Sequence, residues 1–229
     1  MLRKYVKLTD KHSRTYGECQ WGEGVEHTAD GEGELCSEHW IHVYEHPLLA
    51  VLHDPVHGKF LDDEGARLWE CESDDDNPKR DGQMKLGIRH LCTVQQIPIP
   101  EITFEQRVAY AIHCALHVYI EPVFVDWAEK WLTGEDRSRH ATSDAAYAAY
   151  AADAAYAAYA ADAADATYDA DAAYAAGAAA SAAHAAHAAA GAYATHAAHA
   201  AHAAYAAHAA AGSIDLAAIA EQVCDTFYW

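Results

Sequence analysis

At 229 residues and 24.9 kDa the chain has room for one ordinary domain plus an extended element. A formal net charge of −20, from 35 acidic residues against 15 Lys and Arg, excludes the basic surface that binding to phosphate backbones or anionic membranes requires. Direct nucleic-acid binding and membrane attachment are not expected, whereas the acidic surface leaves room for a cationic host protein as partner.

The six cysteines, Cys19, Cys36, Cys71, Cys92, Cys114 and Cys224, have no framework spacing, so reduced thiols are expected. Met1 to Asp10 carries Arg3, Lys4 and Lys7 with no apolar core after them, so no cleavable signal is read and a cytoplasmic location follows.

Residues 1–100 read as a compact, β-rich α+β domain. Tyr5 to Leu8 forms a first strand, Asp10 to Gly17 a turn, and Gly22 to Gly33, rich in glycine and acid, a loop. From Trp40 to His53 the apolar spacing gives a strand running into a short helix, with Pro47 near the helix start. Leu68 to Cys71 and Lys85 to Ile97 read as paired strands on either side of an acidic turn, Glu72 to Asp81. Pro98 and Pro100 close the domain.

Residues 101–140 form an amphipathic helix pair. Thr103 with Gln106 is a capping box, and Val108, Ala111, Ile112, Ala115, Leu116 and Tyr119 follow at helical spacing, predicting a helix over Phe104 to Ile120. Pro122 opens a second helix with Phe124, Trp127, Ala128 and Trp131 on one side and Gly134 as its stop.

Residues 141–212 are mostly alanine, with a different residue at every third position: Asp144, Tyr147, Tyr150, Asp153, Tyr156, Tyr159, Asp162 and onward to Tyr174. After a slip at Ser181, histidine replaces aspartate, at His184, His187, His196, His199 and His202, then Tyr205 and His208. Alanine has the best helix propensity, so α-helix is expected, with breaks at Gly177, Gly191 and Gly212. The period is the difficulty. Three residues turn an α-helix about 60° short of a full circle, so the third residues spiral round the axis and mark no constant face. Polyproline II and the 3₁₀-helix do have three residues per turn and stay open as alternatives.

Smooth alanine rods can be approached from several sides, which suits a helical bundle or a homo-oligomer. Tyr147, Tyr150, Asp153, Tyr156, Tyr159, His184, His187, His196, His199, His202 and Tyr205 are the residues expected to knit such contacts. With aspartate in the first half and histidine in the second, phenol, imidazole and carboxylate would meet across an antiparallel seam. Residues 213–229 then give a last helix, capped by Ser213 or Asp215, with an apolar face of Leu216, Ile219, Val223 and Phe227.

The run from Gln106 to Ser138 (QRVAYAIHCALHVYIEPVFVDWAEKWLTGEDRS), an alanine-rich repeat, and Ile214 to Val223 (IDLAAIAEQV) together resemble a family of uncharacterised proteins of tailed bacteriophages and prophages. HPLLAVLHDP, RLWECES and KLGIRHLCTVQQI are similar to the N-terminal domain of that family. The resemblance implies a phage setting and an accessory role, and it brings no activity, cofactor or functional residue.

Three groups of residues have metal-ligand chemistry. Cys36, His39, His42 and His46, with Cys19 upstream, lack the two tight pairs of a structural zinc site and read as buried thiols and loop histidines. His113 and His117 are one turn apart without the acidic residue of HExxH, and read as packing or surface. The repeat histidines pair at i,i+3, and successive pairs rotate away from each other. No phosphate loop, dinucleotide fingerprint or nucleophile elbow is present. The expectation is a non-enzymatic protein that self-associates through its repeat, without metal or cofactor. The alternative is a binding protein that takes a metal through the repeat histidines or a host factor through its acidic surface.

Overall fold

The computed structural model describes residues 2–62, 64–149, 180, 182–189, 193–211 and 214–226. Strands and helices are both abundant, so the chain is α+β. It divides into two compact units, Met1–Ile102 and Thr103–Trp229.

The first unit is built on two antiparallel sheets. The larger has the order β1 (Arg3–Thr9), β6 (Arg67–Ser73), β9 (His90–Ile97) and β4 (Glu26–Thr28). The smaller has β8 (Lys85–Ile88) between β5 (Ile41–Val43) and β7 (Lys79–Asp81), and a hairpin of β2 (Arg14–Thr15) and β3 (Cys19–Gln20) stands apart. The sheets meet where Val6 and Tyr44 exchange two backbone hydrogen bonds, at 2.8 and 2.9 Å. One core joins them: Tyr5, Trp69, Cys71 and Leu91 from the larger sheet pack with Ile41, Val43, Leu86 and Ile88 from the smaller. Val6, Leu8 and Leu68 alternate to the other face, as strand geometry requires, and α1 (Pro47–His57) packs on β1.

Several sequence readings change here. The acidic loop Gly22 to Gly33 contains β4, and the turn Glu72 to Asp81 contains β7. The long strand Lys85 to Ile97 is two strands in different sheets: β8 pairs with β5 and β7, and β9 pairs with β6 and β4. The break falls at Arg89, whose backbone N–H leaves the ladder to donate to Asp75 Oδ2 at 2.7 Å. Arg89 also clamps both carboxylate oxygens of Asp75, whose side chain is 1 % exposed. A lone hydrophobicity pattern does not register such a break.

In the second unit, α2 (Phe104–Leu116) starts at the capping box read from the sequence. Thr103 Oγ1 accepts from Gln106 N at 3.2 Å, and Gln106 Oε1 accepts from Thr103 N at 2.8 Å. The helix stops at Leu116, short of the predicted Ile120, and Val118 and Tyr119 are buried just beyond it. α3 (Pro122–Thr133) buries Phe124, Trp127, Ala128 and Trp131, and Gly134 ends it at a φ of +79°, the left-handed conformation that suits glycine. Residues 139–149 form α4 and 182–189 form α5, followed by α6 (Tyr193–Ala211) and α7 (Leu216–Thr226). α2 packs against α6, α7 and α3. Gln106 Nε2 also donates to Cys224 O of α7 at 3.3 Å, and Asp215 Oδ1 caps α7 by accepting from Ala218 N at 3.0 Å.

The Asp75 carboxyl is held down to about 2, chiefly by the Arg89 guanidinium, so its stabilisation is complete above the ordinary carboxylate pKa. Asp75→Ala is expected to lower the stability of the first unit by about 2–3 kcal/mol at neutral pH, since it strands buried backbone donors and the guanidinium. Urea denaturation checks this. The difference from wild type should shrink as pH falls from about 4 to about 2, where the native carboxylate itself takes up its proton.

Candidate functional site

α5 and α6 bring repeat histidines together. Among the third residues of α5, His184 and His187 are half-buried, while Ala182, Ala183, Ala185, Ala186 and Ala188 are buried. In α6 the buried positions are Ala200, Ala201, Ala203, Ala204 and Ala207. At 100° per residue these five lie within about 160° of the circumference, and His202, which is exposed, falls on the opposite side. The spiral of third residues therefore coexists with a constant buried face. Its direction is set by the neighbouring helices, because the alanine pairs offer methyl groups on every side.

Four imidazoles of α5 and α6 lie against one another. His184 stacks on His199 with ring centroids 5.5 Å apart and on His202 at 5.3 Å, and His187 lies 5.3 Å from His199. The Nδ1 atoms of His184 and His199 are 3.3 Å apart and share one hydrogen bond. One ring must donate and the other accept, so the pair fails when both rings are protonated. Burial first, and then the neighbouring His202, His199 and His187, push His184 down to about 4. His184 is therefore the ring of this cluster that burial keeps neutral. Among the described residues no group of three or more His, Cys, Asp or Glu is placed to hold a metal ion.

The other expected contact residues are placed differently. Tyr147 is 80 % exposed on α4. Tyr205 is half-buried on α6, and His196 lies on α6 with its side chain outside the described set. Tyr150, Asp153, Tyr156 and Tyr159 lie outside the described residues, so the aspartate-to-histidine seam does too.

In the first unit the suspected metal ligands each have a separate structural task. His39 Nδ1 pairs with Asp30 at 2.7 Å, His42 Nε2 donates to Leu35 O, and His46 Nδ1 caps α1 by accepting from Leu48 N at 3.3 Å. Cys19 packs against the core, whereas Cys36 is exposed, against the expectation of a buried thiol, and accepts from Lys85 Nζ at 3.0 Å. In the second unit His113 is half-buried, which lowers its pKa, and His117 is exposed.

The group that sequence reading missed is Lys7. It lies on the core side of β1, opposite Trp69, and is 5 % exposed. Its ammonium donates to His42 O at 2.9 Å and sits 4.5 Å above the Trp21 ring. Burial pushes it down to about 8. Alternation in β1 places Lys7 on the face of Tyr5, which is the one signal that could have found it.

No protein-family model, no curated protein and no solved structure matches this chain. Among the described residues no helix is long and apolar enough to cross a membrane.

Two outcomes follow for pH. An unfolded histidine takes its proton near pH 6.5, before the folded His184 does, so the helical unit should lose stability as pH falls from about 6.5 to about 4. Thermal melts followed by far-ultraviolet circular dichroism should show that slope, and His184→Gln should flatten it. For Lys7 the unfolded chain holds the proton more tightly than the native state between pH 8 and 10.5, so stability should rise with pH across that window. Lys7→Met should stabilise the first unit by about 1–2 kcal/mol at pH 7 in urea titrations, after loss of the bond to His42 O, with the gain vanishing near pH 10.

Proposed function

We propose that the chain is a non-enzymatic accessory protein, phage-borne as the likeness of its Gln106 to Ser138 and Ile214 to Val223 runs implies, whose alanine-rich region forms a helical bundle that joins copies of the chain. The burial of ten alanines of α5 and α6 to 1 % exposure or less within one chain supports the bundle, and the apolar groups that the same unit leaves exposed support the joining of copies. Methyl groups that thin let helix axes approach to the short end of the usual range of about 8–10 Å. Such rods gain dispersion contacts along their whole length, and each contact is small.

The same unit leaves large apolar groups in water. Ile120 is 80 % exposed, Val123 61 % and Tyr147 80 %. Tyr147 is one of the third residues, so at this position the repeat turns its bulky group outward, where a second copy can meet it. Lys7 and Cys71, both displaced from their ordinary pKa by burial, are 5 % and 0 % exposed, enclosed where no substrate reaches them.

Light scattering after size exclusion tests the proposal on the full chain. A mass of two or more chains is expected, and Tyr147→Asp should lower it while the far-ultraviolet spectrum stays unchanged. A monomer at every concentration from micromolar upward, with full helicity, would overturn self-association and leave an internal bundle.

A further inference from the structure

The outer face of β8 is covered by the chain between β4 and β5. Gly87 has no side chain because there is no room for one: a Cβ there would lie 2.5 Å from Leu35 Cδ1 and 3.0 Å from Trp40 Cβ. A glycine within a strand marks such a close approach. Neighbouring strands fasten the same covering segment. Across the sheet, His42 of β5 donates to Leu35 O, and Lys79 of β7 donates to Gly33 O at 2.6 Å with its ammonium 5.8 Å from the centre of the Trp40 ring.

Lys85 is two residues from Gly87 on β8 and so shares its face. It is 6 % exposed, and its Nζ lies 3.0 Å from Sγ of Cys36, which is a free and exposed thiol. The sulfur is open to a small oxidant from the water side, and from the protein side it rests on a buried amine.

From this juxtaposition we infer that Cys36 and Lys85 form an oxidation-dependent modification site, at which a peroxide closes a covalent sulfur–nitrogen link between the covering segment and β8. In the first step the thiolate sulfur attacks the peroxide. The S–O bond forms, the O–O bond breaks, sulfur loses two electrons to become a sulfenic acid, and the departing hydroxide takes a proton from the adjacent Lys85 ammonium, leaving as water and leaving a neutral amine. In the second step the deprotonated Lys85 amine attacks the sulfur with its lone pair. The S–O bond breaks, and hydroxide leaves as water with a proton from the nitrogen. A sulfenamide remains. Backbone nitrogen is known to trap sulfenic acids in this way, and Lys85 offers a stronger nucleophile already in contact. Two thiols of an added reductant reverse the link, restoring thiol and amine and leaving as a disulfide.

The link would fix residues 33–40 to the central strand of the smaller sheet, replacing a hydrogen bond with a covalent one. Burial of Lys85 matters twice: it keeps the amine beside the sulfur, and it shields the second step from competing water.

Peptide mass spectrometry of the full-length protein tests this after treatment with hydrogen peroxide, denaturation, thiol alkylation and trypsin digestion. The expected product is a pair of peptides joined through Cys36 and Lys85, lighter than their sum by two hydrogens, uncleaved after Lys85 and separated by dithiothreitol. Lys85→Arg keeps the positive charge and should abolish the joined pair, with Cys36 proceeding to sulfinic acid instead. The proposal is overturned if wild-type Cys36 is recovered as sulfinic acid, as a disulfide or joined to Lys79 while Lys85 stays cleavable. It is equally overturned if Cys36 remains alkylatable under excess peroxide. Because the wild-type product decides the matter, misfolding of the variant would not rescue the idea.

Discussion

Alanine packing sets the terms for the helical unit. A methyl group is the smallest apolar side chain, so each buried alanine removes little surface from water and contributes little alone. What it permits is distance: helices lined by alanine come close enough for backbone and methyl contacts to run along their length. That closeness leaves no room between the rods for anything larger. The third residues His184, His187, His199 and His202 of α5 and α6 lie against one another outside the buried alanine face. Larger side chains are supplied by the flanking helices: Tyr110 and Ile112 from α2, Phe124 and Trp131 from α3 and Leu216 from α7 are all fully buried. The repeat gives close approach, and the flanking helices give hydrophobic mass.

A half-buried His184 held below the ordinary histidine pKa is the chemical consequence: burial takes it partly out of water, and the neighbouring imidazoles raise the cost of charging it. The stack therefore ties the packing of α5 on α6 to proton concentration in a range where few other side chains titrate. The first unit shows the opposite arrangement. There the amino groups of Lys7 and Lys85 lie under cover, met by a carbonyl, an indole face and a thiol rather than by carboxylates. Asp75 is a buried carboxylate enclosed by the Arg89 guanidinium and by the backbone N–H groups of Asn77 and Arg89.

Much of the local structure was legible in the residues. The capping box at Thr103 and Gln106, Pro122 at a helix start, Gly134 at a helix stop and the apolar positions of α3 and α7 are local signals, decided within a turn or two of chain. The candidate contact residues were legible only as a list. Spacing identified His184, His187, His199 and His202 as one class, but which rings touch depends on how two separate helices are laid together. Lys7 was missed because a lysine in a strand reads as a surface residue, and its burial comes from the second sheet covering that face. The split of Lys85 to Ile97 into β8 and β9 was missed for a similar reason: Asp75, fourteen residues away, takes the backbone N–H of Arg89 out of the ladder.

Local signals in the residues determined where α2 and α3 begin and where α3 ends, and composition determined that the repeat offers methyl groups on all sides. Those outcomes depend on interactions between residues close in the chain, whose energies do not wait for the fold. Tertiary structure alone decided which strands share a sheet, which face of α6 is buried, and that a free thiol would lie on a covered lysine amine. Each of these depends on a partner distant in sequence, and an alanine helix, alike in every direction, has no preferred side until a neighbour supplies one.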